Sequence, residues 1–309
     1  MRRNDVLKAM LVLIAAVNVL VVIGASPAQA QQGPSVSISY DVIPFQKMDD
    51  PIVNTITDSD TTYFNDPRVR LRKLRATFSY PVAFAQGKTV LVNNFSYQLI
   101  EFDYKNWDYP LKRLHAASYT LMLQQRLSQK WSMWALGTPS IASDLEAEVS
   151  EDDFNIEIVG VFIRHFSQQL SVGAGVAYTT QFGSGEWVPI LAFDWNNGKN
   201  LMVRAIIPTS LEFWYRPGPR VDLGLIVSGD GNSYRGDPEI YGVEDPELRY
   251  TMMTVGPAAK IHLTKLLQLN IEAGLIGLHR FEFYDGNVES GSYDLKLSQY
   301  LRIGLRVAG

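Results

Sequence analysis

The residues best suited to acid–base or nucleophilic chemistry are four histidines, His115, His165, His262 and His279. Only His165 has a hydroxyl close behind it, Ser167, and positions i and i+2 of a strand share a face, as a nucleophile and its base must. No acid or asparagine stands beside the pair to orient the ring, and Ser167-Gln168-Gln169 has the composition of a turn. No histidine adjoins an aspartate, so the Asp-His chemistry of a proteolytic site is not expected. Gly173-Ala174-Gly175 has no helical pattern after it, which removes a dinucleotide reading. Gly229-Asp230-Gly231-Asn232-Ser233 opens like a calcium loop but lacks the later glutamate, and reads as a turn. The stretch holding Asp144, Glu146, Glu148, Glu151, Asp152 and Asp153 could hold a divalent ion through carboxylate oxygens. The simpler expectation is a solvated loop kept extended by its own repulsion. No catalytic residue, cofactor or metal site is expected.

A second set of charges is more suggestive. Lys260, Glu272, Arg280, Glu282, Lys296, Arg302 and Arg306 fall on the polar face of the last three predicted strands, and Arg75 and Arg126 join them, with Arg204 and Glu212 as further candidates. Charges gathered on one face of a sheet line a pore, or pair across a narrow interior and plug it. Both outcomes are open at the level of sequence.

These side chains must be positioned by strands. After residue 30 the dominant period is two, the spacing that sends alternate side chains to opposite faces. Tyr293, Leu295, Leu297, Leu301, Ile303, Leu305 and Val307 alternate with Asp294, Lys296, Ser298, Arg302, Gly304 and Arg306. Leu267 to Leu275, Val255 to Leu263, Leu170 to Tyr178 and Val221 to Val227 repeat the pattern. Several such runs are longer than the five or six residues or so usual in soluble sheets. About 9–11 tilted residues span a bilayer core, and only a closed barrel does so with every backbone group paired. Tyr40, Tyr80, Tyr104, Trp131, Trp187, Trp195, Trp214, Tyr215, Phe281, Phe283, Tyr284 and Tyr293 lie near strand ends, where interfacial rings are expected. A secreted β-sandwich also alternates, but with shorter strands.

The ends and loops complete the outline. Arg2, Arg3 and Lys8, an apolar run from Met10 to Ile23, and Ala28-Gln29-Ala30 have the order of a cleaved secretory signal. The expected domains are therefore a signal peptide, 1–30, and one barrel domain, 31–309. The removed piece is net positive, so the remainder is more acidic than the whole chain's −4, which argues against a nucleic-acid partner. There are no cysteines, so the exported fold must close without disulfides. Tight connections at 128–130, 167–169, 196–199, 217–219 and 264–265 alternate with longer polar stretches at 45–67, 105–112, 143–153, 182–186, 229–246 and 285–291. That alternation requires a further turn at Ile207-Pro208-Thr209 and gives fourteen strands. Twelve result if 200–216 runs on as one bent strand and Ser35–Ile43 stands outside the wall.

The signal ending in Ala28-Gln29-Ala30, the stretch Pro208-Thr209-Ser210-Leu211-Glu212-Phe213-Trp214-Tyr215-Arg216-Pro217 and the alternating final strand carry a resemblance. The chain resembles the uncharacterised outer-membrane β-barrel families of Gram-negative bacteria, known only as domains of unknown function. It departs from most such barrels in ending Val307-Ala308-Gly309 rather than on an aromatic residue. The resemblance implies an all-β transmembrane antiparallel up-and-down barrel in the cell outer membrane, with lipid, lipopolysaccharide and the barrel-assembly machinery as partners. The expected function is a passive, porin-like pore for small solutes, not an enzyme. The alternative is a closed barrel that binds lipopolysaccharide or a partner through its outer loops.

Overall fold

In the computed structural model the period-two pattern becomes an antiparallel wall of fourteen strands closed on itself. The structure describes residues 33–48, 53–55, 61–63, 66–106, 109–146, 150, 153–180, 185–286 and 288–309; the proposed signal lies outside them. The strands are β1 (Ser35–Lys47), β4 (Arg68–Phe84), β5 (Thr89–Lys105), β6 (Arg113–Arg126), β7 (Trp131–Ser143), β8 (Phe154–His165) and β9 (Leu170–Thr179), followed by β10 (Glu186–Asn196), β11 (Leu201–Ile207), β12 (Ser210–Gly218), β13 (Val221–Arg235), β14 (Pro246–His262), β15 (Leu267–Asp285) and β17 (Ser298–Ala308). β2 (Val53–Thr55) and β3 (Thr61–Tyr63) pair with each other between β1 and β4. β16 (Val288–Asp294) pairs with the upper part of β15, and α1 (Pro238–Tyr241) is one helical turn between β13 and β14. β1 closes the wall against β17, from Ser35 opposite Ala308 to Val42 opposite Leu301.

The first and last described residues lie at one end, here the near end, where the Gly33 amide donates to the Gly309 carbonyl and the Gly309 amide to the Pro34 carbonyl. The outer face is greasy: Ile38, Phe162, Val176, Leu191, Leu223, Leu301, Ile303, Leu305 and Val307 are all exposed. On β17 the residues between them, Tyr300, Arg302, Gly304 and Arg306, turn inward. The chain does turn at Pro208-Thr209, so β11 and β12 are separate strands of seven and nine residues.

Strand height is uneven. β8 to β12 run 7–12 residues, whereas β13, β14 and β15 run 15, 17 and 19. Above the low strands, β7 and β13 meet directly and in parallel, Ser143 against Arg235, with the Asp144 amide donating to the Arg235 carbonyl at 3.1 Å. The main hydrophobic core fills the far half of the tall side: Ile43, Leu71, Ile100, Phe102, Leu114, Tyr234, Tyr250, Met252, Ile276 and Phe281. A smaller cluster, Val161, Ile163, Ala177, Ile190 and Ala192, lines the low strands. β14 and β15 approach each other closely at Gly256 and Gly274, where a Cβ on Gly274 would sit 2.1 Å from the Val255 carbonyl oxygen.

Three local readings are corrected. Gly229–Ser233 is not a turn but the upper part of β13, paired with β14 from Met253 to Arg249. The final strand is not continuous: the ladder breaks at Leu295–Leu297, so Leu295 and Tyr293 pack inside while Leu297 and Leu301 face out. Of the expected aromatic girdle, Tyr40, Trp131, Trp187 and Tyr215 are exposed, but Trp214 and Phe281 are buried.

Candidate functional site: a charged lumen under an aromatic mouth

Antiparallel register places Glu272 on β15, Arg302 on β17, Asp41 on β1 and Lys73 on β4 side by side, a row alternating in sign across four neighbouring strands. Arg302 grips Asp41 with two bonds of 2.8 Å and reaches Glu272 at 3.2 Å. Tyr300 donates to Glu272 at 2.5 Å. Bidentate guanidinium–carboxylate pairs are the strong members of their class, and here both partners are largely buried.

The row then crosses the interior. Asp230, on β13, accepts from Lys73 and from Arg75, the latter at 3.2 Å. Lys73 also donates to the Tyr250 hydroxyl at 3.1 Å, and Gln98 on β5 donates to Tyr234 on β13 at 2.9 Å. Lys73 is only 2% exposed, so its ammonium charge has exchanged water for these partners. Sequence reasoning missed Asp41, Lys73 and Asp230. Asp41 shares the polar face of Ser37 and Ser39, but the consecutive charges Arg72 and Lys73 hide which one turns inward, and the pairing with Asp230 is set by the closure of the barrel.

Other charges lie nearer the near end. Lys260 stands 3.6 Å from the centre of the Trp214 ring, whose indole nitrogen donates to Glu212 at 2.6 Å. Arg204 pairs with Asp194 at 3.0 Å, and Arg216 with Asp222 at 2.6 and 2.9 Å. Arg306 reaches Ser35 at 3.5 Å, and Arg126 is exposed at the near rim, donating to the Ser128 carbonyl. Arg280 and Glu282 do not face the interior. An extra residue, Gly277, interrupts the β14–β15 register, so His279 and Phe281 take the inward positions. Arg280 instead pairs outside with Asp294 at 2.7 Å and Glu282 at 3.8 Å. Lys296 falls in the break before β17 and is exposed, apart from the charge row.

The histidines do not assemble a hydrolytic site. His165 lies between Ser132 at 2.8 Å and Ser171 at 2.7 Å rather than on Ser167, whose hydroxyl caps its own turn. His115 bonds Tyr97, and His279 is buried against Gln46. His262 approaches Asp222 at 3.5 Å, a neighbour on the next strand that linear spacing hides. Among the described residues, no cluster of His, Asp and Glu is arranged to hold a metal ion.

The far end is closed by packing and by a rim latch. Asp144 and Asp153 are buried, not solvated. Asp144 accepts from the Asp237 and Glu146 amides at 3.0 and 3.1 Å, tying the β7–β8 loop to the β13–β14 loop. Burial pushes the Asp144 carboxyl above the usual carboxylate range, and burial also raises the Tyr241 hydroxyl beside it. Asp153 accepts from the Ser150 amide at 2.6 Å; Glu148, Glu151 and Asp152 lie outside the described residues. Tyr109 packs edge-on to Phe283 at 5.6 Å, and Phe283 likewise to Tyr293 at 5.6 Å.

This arrangement can pass charge along a paired row, or stop it where the row crosses. The chain is similar to the COG4313 outer membrane channel from Pseudomonas putida F1, at 10% identity over 90% of this chain and 96% of that one, TM-score 0.48. It is similar to the toluene transporter TodX of P. putida, at 10% identity over 92% and 91%, TM-score 0.42, and to the outer membrane protease OmpT of Escherichia coli, at 8% over 93% and 99%, TM-score 0.33. At such identities the likeness is one of fold alone. No curated protein matches the sequence. Residues 87–308, most of the wall, match the family described as "Domain of unknown function (DUF6268)", and the chain belongs to that family.

Proposed function

We propose that this protein is an outer-membrane channel for small solutes, held in the structure in its closed form. Residues 1–30 are the exported, cleaved signal, residues 31–309 the barrel, and the near end faces the periplasm. Outer-membrane lipid contacts the apolar face, lipopolysaccharide the outer loops, and the assembly machinery the strands during insertion. One observation carries the reading: the interior holds charged residues, and among the described residues what blocks it is side chains, with Tyr109 and Leu111 from the β5–β6 loop. Loops move in nanoseconds to microseconds and the side chains they carry move with them, so such a block can act as a gate.

Arg75, Arg126, Lys260, Glu272, Arg302 and Arg306 are the proposed lining of the conducting path. The cross-lumen pairing itself favours a second reading, a permanently closed barrel acting through its outer loops. Single-channel recording of the purified protein in a planar bilayer separates the two. Discrete current steps support the channel. Silence from protein that is folded and inserted, shown by a heat-dependent shift in gel mobility, refutes it and leaves the closed barrel.

A further inference from the structure

At the far end, above the hydrophobic core, a half-open cavity of about 360 Å³ lies between the β5–β6 loop, the β13–β14 loop and β16. Six aromatic rings surround it: Tyr109, Tyr234, Tyr241, Phe283, Tyr284 and Tyr293. Its floor is apolar, built of Leu111, Leu114 and Leu248, all buried. The volume lies in the range of small-molecule sites, which run from roughly 300 Å³ upward.

The charges in the lining are already engaged by the protein. Arg235 pairs with Asp245 at 2.5 Å, and Glu247 accepts from Ser233 and from Arg249 at 2.7 Å. An ionic guest would therefore have to break an existing pair. A sugar needs hydrogen bonds for several hydroxyls, and beyond the tyrosines Ser290 is the one remaining hydroxyl in the lining. Aromatic faces and edges suit another ring: Phe283 already meets both Tyr109 and Tyr293 edge-to-face, and such contacts add to what burial alone contributes.

We infer that this cavity is a binding site for a neutral aromatic compound of one or two rings carrying a hydroxyl group. The tyrosine hydroxyls hold the polar group and the rings clasp the body. Burial keeps the Tyr109 hydroxyl protonated far above neutral pH, so it can donate, while the Tyr241 hydroxyl is bonded to Asp144. The site rests on the lining alone and not on whether the barrel conducts.

The test is calorimetric titration of the full-length, heat-modifiable protein in detergent with p-cresol, against a micelle blank. Saturable binding is expected, weakened at least about tenfold by Tyr109→Ala and by Val243→Trp, which fills the cavity from the β13–β14 loop. The ring-saturated analogue 4-methylcyclohexanol is expected to bind about tenfold more weakly. Non-saturable uptake, equal binding to Val243→Trp, equal binding of the cyclohexanol, or preference for methyl glucoside each overturns the inference. If Tyr109→Ala does not fold, Val243→Trp decides. A protein that binds p-cresol yet shows no current loses the channel reading and keeps the site.

Discussion

Lys73 and Asp230 lie 157 residues apart in sequence and on opposite sides of the barrel, yet their charged groups meet in its interior. Neither is a neighbour of the other in the sheet: β4 pairs with β1 and β5, β13 with β12, β14 and, at its far end, β7. The contact therefore measures how narrow the far half is. A buried pair costs most when one partner is removed, because the other is left charged and dry.

Asp230→Asn is expected to lower stability by about 3 kcal/mol, while the double variant Lys73→Met/Asp230→Leu recovers most of it. Urea unfolding followed by intrinsic fluorescence checks this. Asp230→Asn is also expected to raise the frequency of open events in bilayer recordings. An unchanged midpoint for the single variant would remove the pair from any structural role.

Charge reversal at an inward residue should change selectivity, and the same reversal outside should not. Arg306→Glu is expected to shift the reversal potential toward cations by about twofold in permeability ratio. Arg280→Glu, whose parent side chain pairs with Asp294 on the outer face, is expected to leave it unchanged. Equal shifts in both variants would put the permeating ion outside the lumen described here.

Gly274→Val tests the close approach of β14 and β15. Its first side-chain carbon would sit 2.1 Å from the Val255 carbonyl oxygen, and a backbone atom cannot step aside. A loss of about 2 kcal/mol or more is expected, with a lower heat-modifiable fraction on refolding. Gly277→Ala, with open space around the added carbon, is the matched control and is expected to refold normally.

Two loop carboxyls give opposite pH dependence. Asp66 is held at about 2, mainly by Lys47 and then Arg68. Its folded value lies below its unfolded one, so its contribution is full above about pH 4 and lost as pH falls toward 2. Asp144 has a raised folded value, so the folded state takes up its proton first and the rim latch gains stability as pH falls through that value. The protection factor against hydrogen exchange in 236–245, which removes the intrinsic slowing of exchange at lower pH, is expected to rise on acidification in the wild type and to stay unchanged in Asp144→Asn. A protection factor that falls would reverse the sign.

Much of the wall was legible because a membrane barrel repeats one rule, apolar out and polar in, strand after strand. Pro208-Thr209 was legible because proline punctuates a ladder. What failed was phase. One extra residue at Gly277 sends every later side chain of β15 to the other face, which is why Arg280 and Glu282 were placed inside. The break at Leu295–Leu297 does the same to Tyr293. Asp230 was hidden for another reason: Gly-Asp-Gly-Asn-Ser has the composition of a turn, yet the β13–β14 ladder outweighs local preference. No local pattern tells β13 that β4 waits across the lumen.

The parallel contact between β7 and β13 has a consequence in counting. Going round the far end through β13, β14, β15, β16, β1, β4, β5, β6 and β7, with Met48 bridged to Leu295, the ring has nine members. Strands that alternate up and down close antiparallel only when their number is even; an odd ring must contain one parallel seam. The fourteen-membered ring below has none. The molecule is thus two hoops of unlike parity sharing a common set of staves, and the parallel seam is where the five short strands leave the larger hoop. Circumference falls with strand number, so the protein is a tapered vessel whose narrow neck is fastened by a single backbone bridge.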